Sequence, residues 1–255
     1  MIRRKDLKVS TPTKDELRWI CPIPTSEIVD QRLEMYYASA EYRKEQELIK
    51  LFKDYCSNTT PLEVDIKTDE VINFTGYEVS KRVLTNRILE SKTFASQLQH
   101  GDPTAVDYLI GTTQSCAKYA PFAFSYCYFQ KPKKYLPGVW CIWALKIYQR
   151  LDKFIDCSVP QYVQCYSDFI KLITKFQRFY KLKQYSTKEL VYFLHMINAD
   201  LEQDRAQRVE EYHRAEEKRS QERYERALKR DHSSQNELIL QILQGKQPLD
   251  EDSNE

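Results

Sequence analysis

Residues 115–183 combine many aromatic side chains with charge of almost one sign, and this segment constrains the fold more than any other. It carries twelve Lys or Arg residues and only three acids, Asp152, Asp156 and Asp168. Residues 116–130 within it are nearly all apolar, which predicts a helix deep in the core. An aromatic core with a basic surface indicates a helical domain that meets a polyanion.

The composition agrees with a helical fold. The chain has 255 residues, of which 42% are hydrophobic, enough for a substantial core. Its five glycines are few for that length, which disfavours α/β folds built on Gly-rich turns. Residues 1–200 hold 29 basic and 23 acidic side chains, whereas residues 201–255 hold 10 and 14. The basic surface therefore belongs to the first 200 residues.

The sequence divides into four parts. Residues 1–25, which contain three prolines, are expected to form an extended N-terminal arm. Residues 26–200 are expected to form a compact, mainly α domain. Residues 201–244 predict a long charged helix with a short apolar patch, because acids and bases alternate there at helical spacing. Residues 245–255 form an acidic tail that is expected to be disordered.

Periodicity and capping predict several elements inside the helical domain. Apolar stripes indicate one helix over about residues 26–55 and another over about residues 161–181. Ser186 and Glu189 match a capping box that opens a further helix. Residues 57–75 have the weakest helical signal, and their alternating apolar pattern is consistent with a short strand or an extended connector.

Common catalytic and metal-binding patterns are missing from the sequence. The four histidines are scattered, so no metal site is predicted, and no Gly-rich phosphate loop or Gly-x-Ser-x-Gly elbow occurs. Arg208 and His213 match the Arg-x4-His pattern of some helical ribonucleases, but a match is expected by chance in a segment with nine Arg or Lys residues and two histidines. No cofactor is predicted.

Cysteine use and hydropathy bear on the compartment. Seven cysteines form no CxxC pair, and most have apolar neighbours, which is typical of free thiols in a reducing compartment. No signal peptide opens the chain, and no apolar run approaches the roughly 20 residues that span a membrane. We expect a cytoplasmic protein that does not enter a membrane.

One short motif resembles a known DNA-binding turn. Leu136–Val139 reads Leu-Pro-Gly-Val, which resembles the hairpin of helix-hairpin-helix DNA glycosylases. The upstream run Phe122–Tyr135 resembles bacterial proteins of the 8-oxoguanine-DNA-glycosylase fold, and the agreement extends over about residues 75–198. The resemblance implies that the turn at Gly138 offers backbone N–H groups to a DNA phosphate. Trp140 stands where the family's hairpin has a second glycine.

The catalytic carboxylate that the resemblance implies is not where the family keeps it. In these glycosylases an Asp stabilises the cationic sugar that develops as the base leaves. The matching segment, Pro137–Val139, contains no acid. Counting from the hairpin leads instead to Asp156, which arrives about one helical turn early. No lysine follows the turn where lyase-type enzymes keep a Schiff-base nucleophile.

Three hypotheses follow. The first is a protein that binds DNA or another nucleic acid on a degenerate glycosylase-like scaffold, with Gly138 at the turn. Its backbone-contacting candidates are the basic residues Lys131, Lys133, Lys134, Lys171, Lys175 and Arg178. The second is an active base-excision glycosylase with Asp156 as its acid. The third is a non-enzymatic interaction module, in which residues 201–244 bind a protein partner or a second copy. The alternative to the first is that the lysines merely solubilise an aromatic core.

Overall fold

The computed structural model describes residues 12–76, 78–111, 119–137, 141–163 and 165–243. These residues form helices and connecting turns, with no β-strand among them. In chain order the helices are α1 (Lys14–Ile20), α2 (Ser26–Ala38), α3 (Ala40–Asp54), α4 (Pro61–Thr75), α5 (Lys81–Glu90), α6 (Phe94–His100), α7 (Thr104–Ile110), α8 (Ala120–Gln130), α9 (Ile142–Asp152), α10 (Val159–Tyr162), α11 (Tyr166–Phe179) and α12 (Thr187–Leu243). A mainly α fold with a long C-terminal helix is confirmed.

The arm expected over residues 1–25 is not extended throughout, because α1 lies inside it. Thr13 caps this helix: its hydroxyl accepts the N–H of Glu16 at 3.3 Å, and its own N–H donates to the Glu16 carboxylate at 2.7 Å. The pair forms a capping box, which gives acceptors to backbone N–H groups at the start of the helix that have no partner within it. Residues 1–11 lie outside the described residues.

An ion pair fixes α1 to the rest of the fold. The Arg18 guanidinium forms two hydrogen bonds with the carboxylate of Asp152 at the end of α9. The hydroxyl of Tyr180 donates to the same carboxylate. Burial raises the pKa of Asp152, but the hydrogen bonds from Arg18 and Tyr180 outweigh it, so that the pKa lies below its ordinary value. The N-terminal helix is therefore part of the packed structure.

Residues 57–75 are neither a strand nor an extended connector, because α4 occupies most of the segment. Pro61 stands at its first turn, where a missing N–H costs nothing, and Gly76 ends it in the left-handed conformation with a φ of 66°. Val64 and Val71, seven residues apart, are buried on one face. Helical spacing therefore prevails over the alternating pattern, since α4 packs against α5 and α8.

Two expected helices are each divided. The stretch over residues 26–55 breaks at Ser39, which ends α2 by donating its N–H to the Tyr36 carbonyl at 3.0 Å. The same residue starts α3, because its hydroxyl accepts the N–H of Tyr42 at 3.0 Å. The stretch over residues 161–181 contains the end of α10 and all of α11. A polar residue with extended backbone angles can thus end one helix and cap the next.

The centre of the core is α8. All residues from Pro121 to Phe129 are buried, as expected of a helix that is apolar on every side. It packs against α3, α4 and α7. Phe124 makes edge-to-face contacts with Tyr166 and Phe169 of α11, at centroid distances of 4.9 and 5.2 Å. The core position predicted for this apolar segment is confirmed for its described part.

The chain divides into two units, which we describe separately. The body, residues 12–202 of the described chain, contains every buried hydrophobic residue from Leu17 to Leu201. Residues 203–243 continue α12 and carry ion pairs four residues apart, which include Arg226–Glu222 at 3.4 Å. Ile239 and Leu240 of the apolar patch are each 53% exposed. The acidic tail, residues 245–255, lies outside the described residues.

Two further findings concern the described residues as a set. None of their helices has both the length and the apolar character that a membrane span requires. Six of the seven cysteines are described; Cys21, Cys56, Cys127, Cys157 and Cys165 are free thiols, and Cys21, Cys127 and Cys141 are buried.

Candidate nucleic-acid interface

A groove of about 550 Å³ opens beside the loop that follows α8. Its other walls come from α11 and from the start of α12. The lining residues are Pro132, Lys133, Lys134, Tyr135, Leu136, Ile170, Ser186, Thr187 and Lys188. Three of these described residues are lysines and none is acidic, so the lining itself carries positive charge, while the Glu189 carboxylate lies directly behind Ser186.

Hydrogen bonds fix the loop that forms one wall. The Lys134 N–H donates to the Lys131 carbonyl at 2.9 Å, which closes a turn directly after α8. Tyr135 is only 2% exposed, and its hydroxyl donates at 2.9 Å to a backbone carbonyl between α6 and α7. The Leu136 N–H donates to the Tyr166 hydroxyl at 2.6 Å. The loop is therefore held by hydrogen bonds at several points.

Lys134 lies against the end of α6. Its Nζ donates to the Gln99 carbonyl at 2.9 Å, and its aliphatic chain covers Gly101. A Cβ built on Gly101 would lie 2.7 Å from Cδ of Lys134, so the close approach requires glycine there. Lys133, the preceding residue, is exposed, and so is Lys134. The stem of Lys134 therefore packs on Gly101 although its side chain remains accessible to solvent.

The third lysine of the groove is held by aromatic rings. Nζ of Lys188 lies 4.8 Å from the ring centroid of Tyr128 and 5.4 Å from that of Tyr192, which is cation–π geometry. Burial lowers the pKa of Lys188, and the nearby Glu45 carboxylate opposes that shift. Lys188 thus joins the groove to a charged group inside the core.

Glu45 is a buried acid, only 1% exposed. Its carboxylate accepts the hydroxyl of Tyr36 at 2.5 Å, that of Tyr128 at 2.6 Å and that of Tyr192 at 2.5 Å. Burial, followed by the charge of Glu45, raises the pKa of each tyrosine above its ordinary value, so all three remain proton donors. Three short hydrogen bonds stabilise a charge that would otherwise be costly to bury.

The basic residues expected on α11 do not line the groove. Lys171, Lys175 and Arg178 are exposed on this helix, and Ile170, one residue before the first of them, lines the groove. Lys171 pairs with Asp168 at 3.1 Å, yet its side chain is 64% exposed. These residues can extend the positive surface beyond the groove.

Other candidates from the sequence lie elsewhere. Asp156 is exposed in the bend between α9 and α10 and is not among the residues that line the groove. Lys131 is half-buried at the end of α8, and Gly138 lies outside the described residues. The structure thus brings together two of the expected lysines and does not place the candidate acid beside them.

Sequence analysis missed Lys188 and the polar residues Ser186 and Thr187. The capping box at Ser186 did place Lys188 in the first turn of a helix, and that box is present, with the Glu189 N–H donating to the Ser186 hydroxyl at 3.2 Å. No local signal connects this turn with Lys133, more than fifty residues earlier. The buried Glu45 cluster was missed for the same reason.

Comparison with known proteins adds no assignment, because no protein-family model, no curated protein and no solved structure matches the chain. Among the described residues, no group of three or more His, Cys, Asp or Glu side chains could hold a metal ion. The groove and its lysines are therefore the basis for a functional argument.

Proposed function

We propose that the chain binds the phosphate backbone of nucleic acid through this groove, on a glycosylase-like helical scaffold that has lost its catalytic acid. The observation that carries the proposal is the convergence of Lys133, Lys134 and Lys188 on one concave surface whose described lining has no acid. A site that performed glycosylase chemistry would need a carboxylate beside the sugar.

Counterion release makes such a cluster effective. Each lysine that neutralises a phosphate releases a condensed cation, which contributes sequence-independent affinity that falls as salt rises. The hydroxyl of Thr187 supplies a neutral donor of the kind that positions a backbone, whereas the Ser186 hydroxyl already donates to the Glu189 carboxylate at 2.7 Å. The exposed cations of α11 add further positive charge to the same body.

Salt-dependent binding of labelled oligonucleotides tests the proposal. Fluorescence anisotropy would compare the wild type with Lys133→Ala/Lys134→Ala between about 50 and 200 mM salt. The double variant should bind about tenfold more weakly, and the slope of log affinity against log salt should fall by about two.

The matched control is Lys50→Ala/Lys53→Ala, which removes two exposed lysines from α3. It should change affinity and slope little, since α3 does not line the groove. Equal losses in both double variants would mean that only net charge matters and would refute the groove as the site.

The non-catalytic part of the proposal has its own check. Incubation with duplexes that carry damaged or modified bases should yield no abasic sites. If abasic sites do form, Asp156→Asn decides whether Asp156 is the acid, because it preserves shape while removing the charge.

A further inference from the structure

We infer that the groove takes a single-stranded nucleic-acid segment, with phosphate on its lysines and a base against its apolar wall. The inference rests on the proposed function and goes further by naming the strand type. The alternative strand type is a duplex.

The size and shape of the groove support this class of ligand. A volume of about 550 Å³ falls within the roughly 300–1,000 Å³ of sites that enclose small ligands. Bases inside a duplex are stacked and paired, so their faces cannot enter such a concavity. A single strand can unstack a base and present its face to the protein.

The groove is lined by both cationic and apolar side chains, which suit the phosphate and the base of a nucleotide respectively. Lys133, Lys134 and Lys188 supply cations for a phosphate. Leu136 and Ile170, which are half-buried, add an apolar surface in the same groove. If the ligand touched the groove only through its phosphate backbone, this apolar surface would stay in contact with water. A base placed against it would remove it from water.

The site is also held in place before any ligand arrives. The loop is fixed through Tyr135 and the bond from Leu136 to Tyr166, and Lys188 is held over two tyrosine rings. The loop backbone and the Lys188 side chain therefore lose little freedom on binding, whereas the exposed Lys133 side chain becomes ordered only when it contacts the ligand. An aliphatic wall gives little discrimination among bases, so sequence preference should be weak.

Three probes of one length test the inference with the wild-type chain. They are a single strand, its duplex, and a single strand built from abasic residues, which keeps the charge and removes the bases. At equal salt the single strand should bind about tenfold more tightly than either of the others. A duplex that binds as tightly, or an abasic strand that equals the base-bearing one, would overturn the inference.

Ile170→Ser locates the base contact. It should weaken binding of the base-bearing strand towards that of the abasic strand and leave the abasic strand unchanged. Ile147→Ser is the matched control, since Ile147 is likewise half-buried against the core, on α9. Should Ile170→Ser fail to fold, the wild-type comparison of the three probes still decides the question.

The two proposals fail in different ways. If Lys133→Ala/Lys134→Ala weakens no nucleic acid more than its control does, the proposed function is wrong. If it weakens single strand and duplex alike, and the duplex binds as well as the strand, only the inference is wrong.

Discussion

Lys67 is a lysine with no exposed surface at all. Its Nζ donates to the Ser57 carbonyl at 2.6 Å, to Oδ1 of Asn58 at 2.8 Å and to Oε1 of Gln130 at 3.1 Å. Burial lowers the pKa of Lys67 to about 8, although the Glu63 carboxylate opposes the shift. Three neutral acceptors thus hold a buried cation at the end of α8, directly before the loop of the groove.

This lowered pKa predicts a pH dependence of stability. Between pH 8 and the ordinary pKa of 10.5, the unfolded chain binds a proton at Lys67 that the folded chain has released. Raising the pH in this window therefore stabilises the folded state. Relative to Lys67→Met, the free energy of unfolding of the wild type should rise by about 1 kcal/mol from pH 8 to pH 9.

Urea unfolding at several pH values measures this difference. Lys50→Met, at an exposed position on α3, is the control and should produce no such rise. A wild-type-minus-Lys67→Met difference that is flat or falls over that range would show that Lys67 is not perturbed. Other groups that titrate at high pH cancel, because both proteins share them.

Two helix ends form a natural comparison at the scale of the element. Gly76 ends α4 and Gly101 ends α6, both in the left-handed conformation. A Cβ at Gly76 would meet nothing within 4 Å, whereas one at Gly101 would collide with the stem of Lys134. Substitution by alanine should therefore cause only backbone strain at Gly76, whereas at Gly101 it should also displace Lys134.

Gly76→Ala should lower the free energy of unfolding by about 1 kcal/mol, the cost of an L-residue in this conformation. Gly101→Ala should cost more and should also weaken nucleic-acid binding severalfold, because Lys134 must move. Urea unfolding and anisotropy on both variants measure the two effects. Unchanged binding by Gly101→Ala would show that the position of Lys134 is not needed.

Local sequence signals found the elements whose causes are local. The Ser186–Glu189 capping box and the apolar run of α8 are where the sequence placed them, because caps and all-round burial act within a few residues. The Thr13–Glu16 box of α1 is equally local, but it was overlooked when residues 1–25 were expected to be extended. The prediction of a strand or an extended connector over residues 57–75 was wrong. The apolar residues there fit both a strand period and a helix period, and packing against α5 and α8 favours the helix α4.

At the scale of the whole molecule, the stability of the body should not depend on residues beyond it. Every buried hydrophobic residue that is described lies between Leu17 and Leu201. A chain that ends at Glu202 should keep its free energy of unfolding within about 1 kcal/mol, because the described residues that it lacks are exposed or half-buried and none of them is a buried hydrophobic residue. It should also keep its affinity for nucleic acid, because the groove is formed within the body.

Urea unfolding and anisotropy of the shortened chain check this prediction, and sedimentation shows whether self-association is lost with the removed residues. A loss of more than about 2 kcal/mol would mean that the removed segment contributes to the core. Lost self-association with unchanged binding would support the third hypothesis, that residues 201–244 form an interaction arm.

The sequence by itself determined the helical class, the central helix and the presence of basic surface, because composition, periodicity and caps are properties of neighbouring residues. Only the tertiary structure decided which cations share a groove. Lys133 and Lys188 belong to different elements, and Glu45 meets three tyrosines from three other helices. Such contacts depend on how helices pack, which no local spacing along the chain encodes.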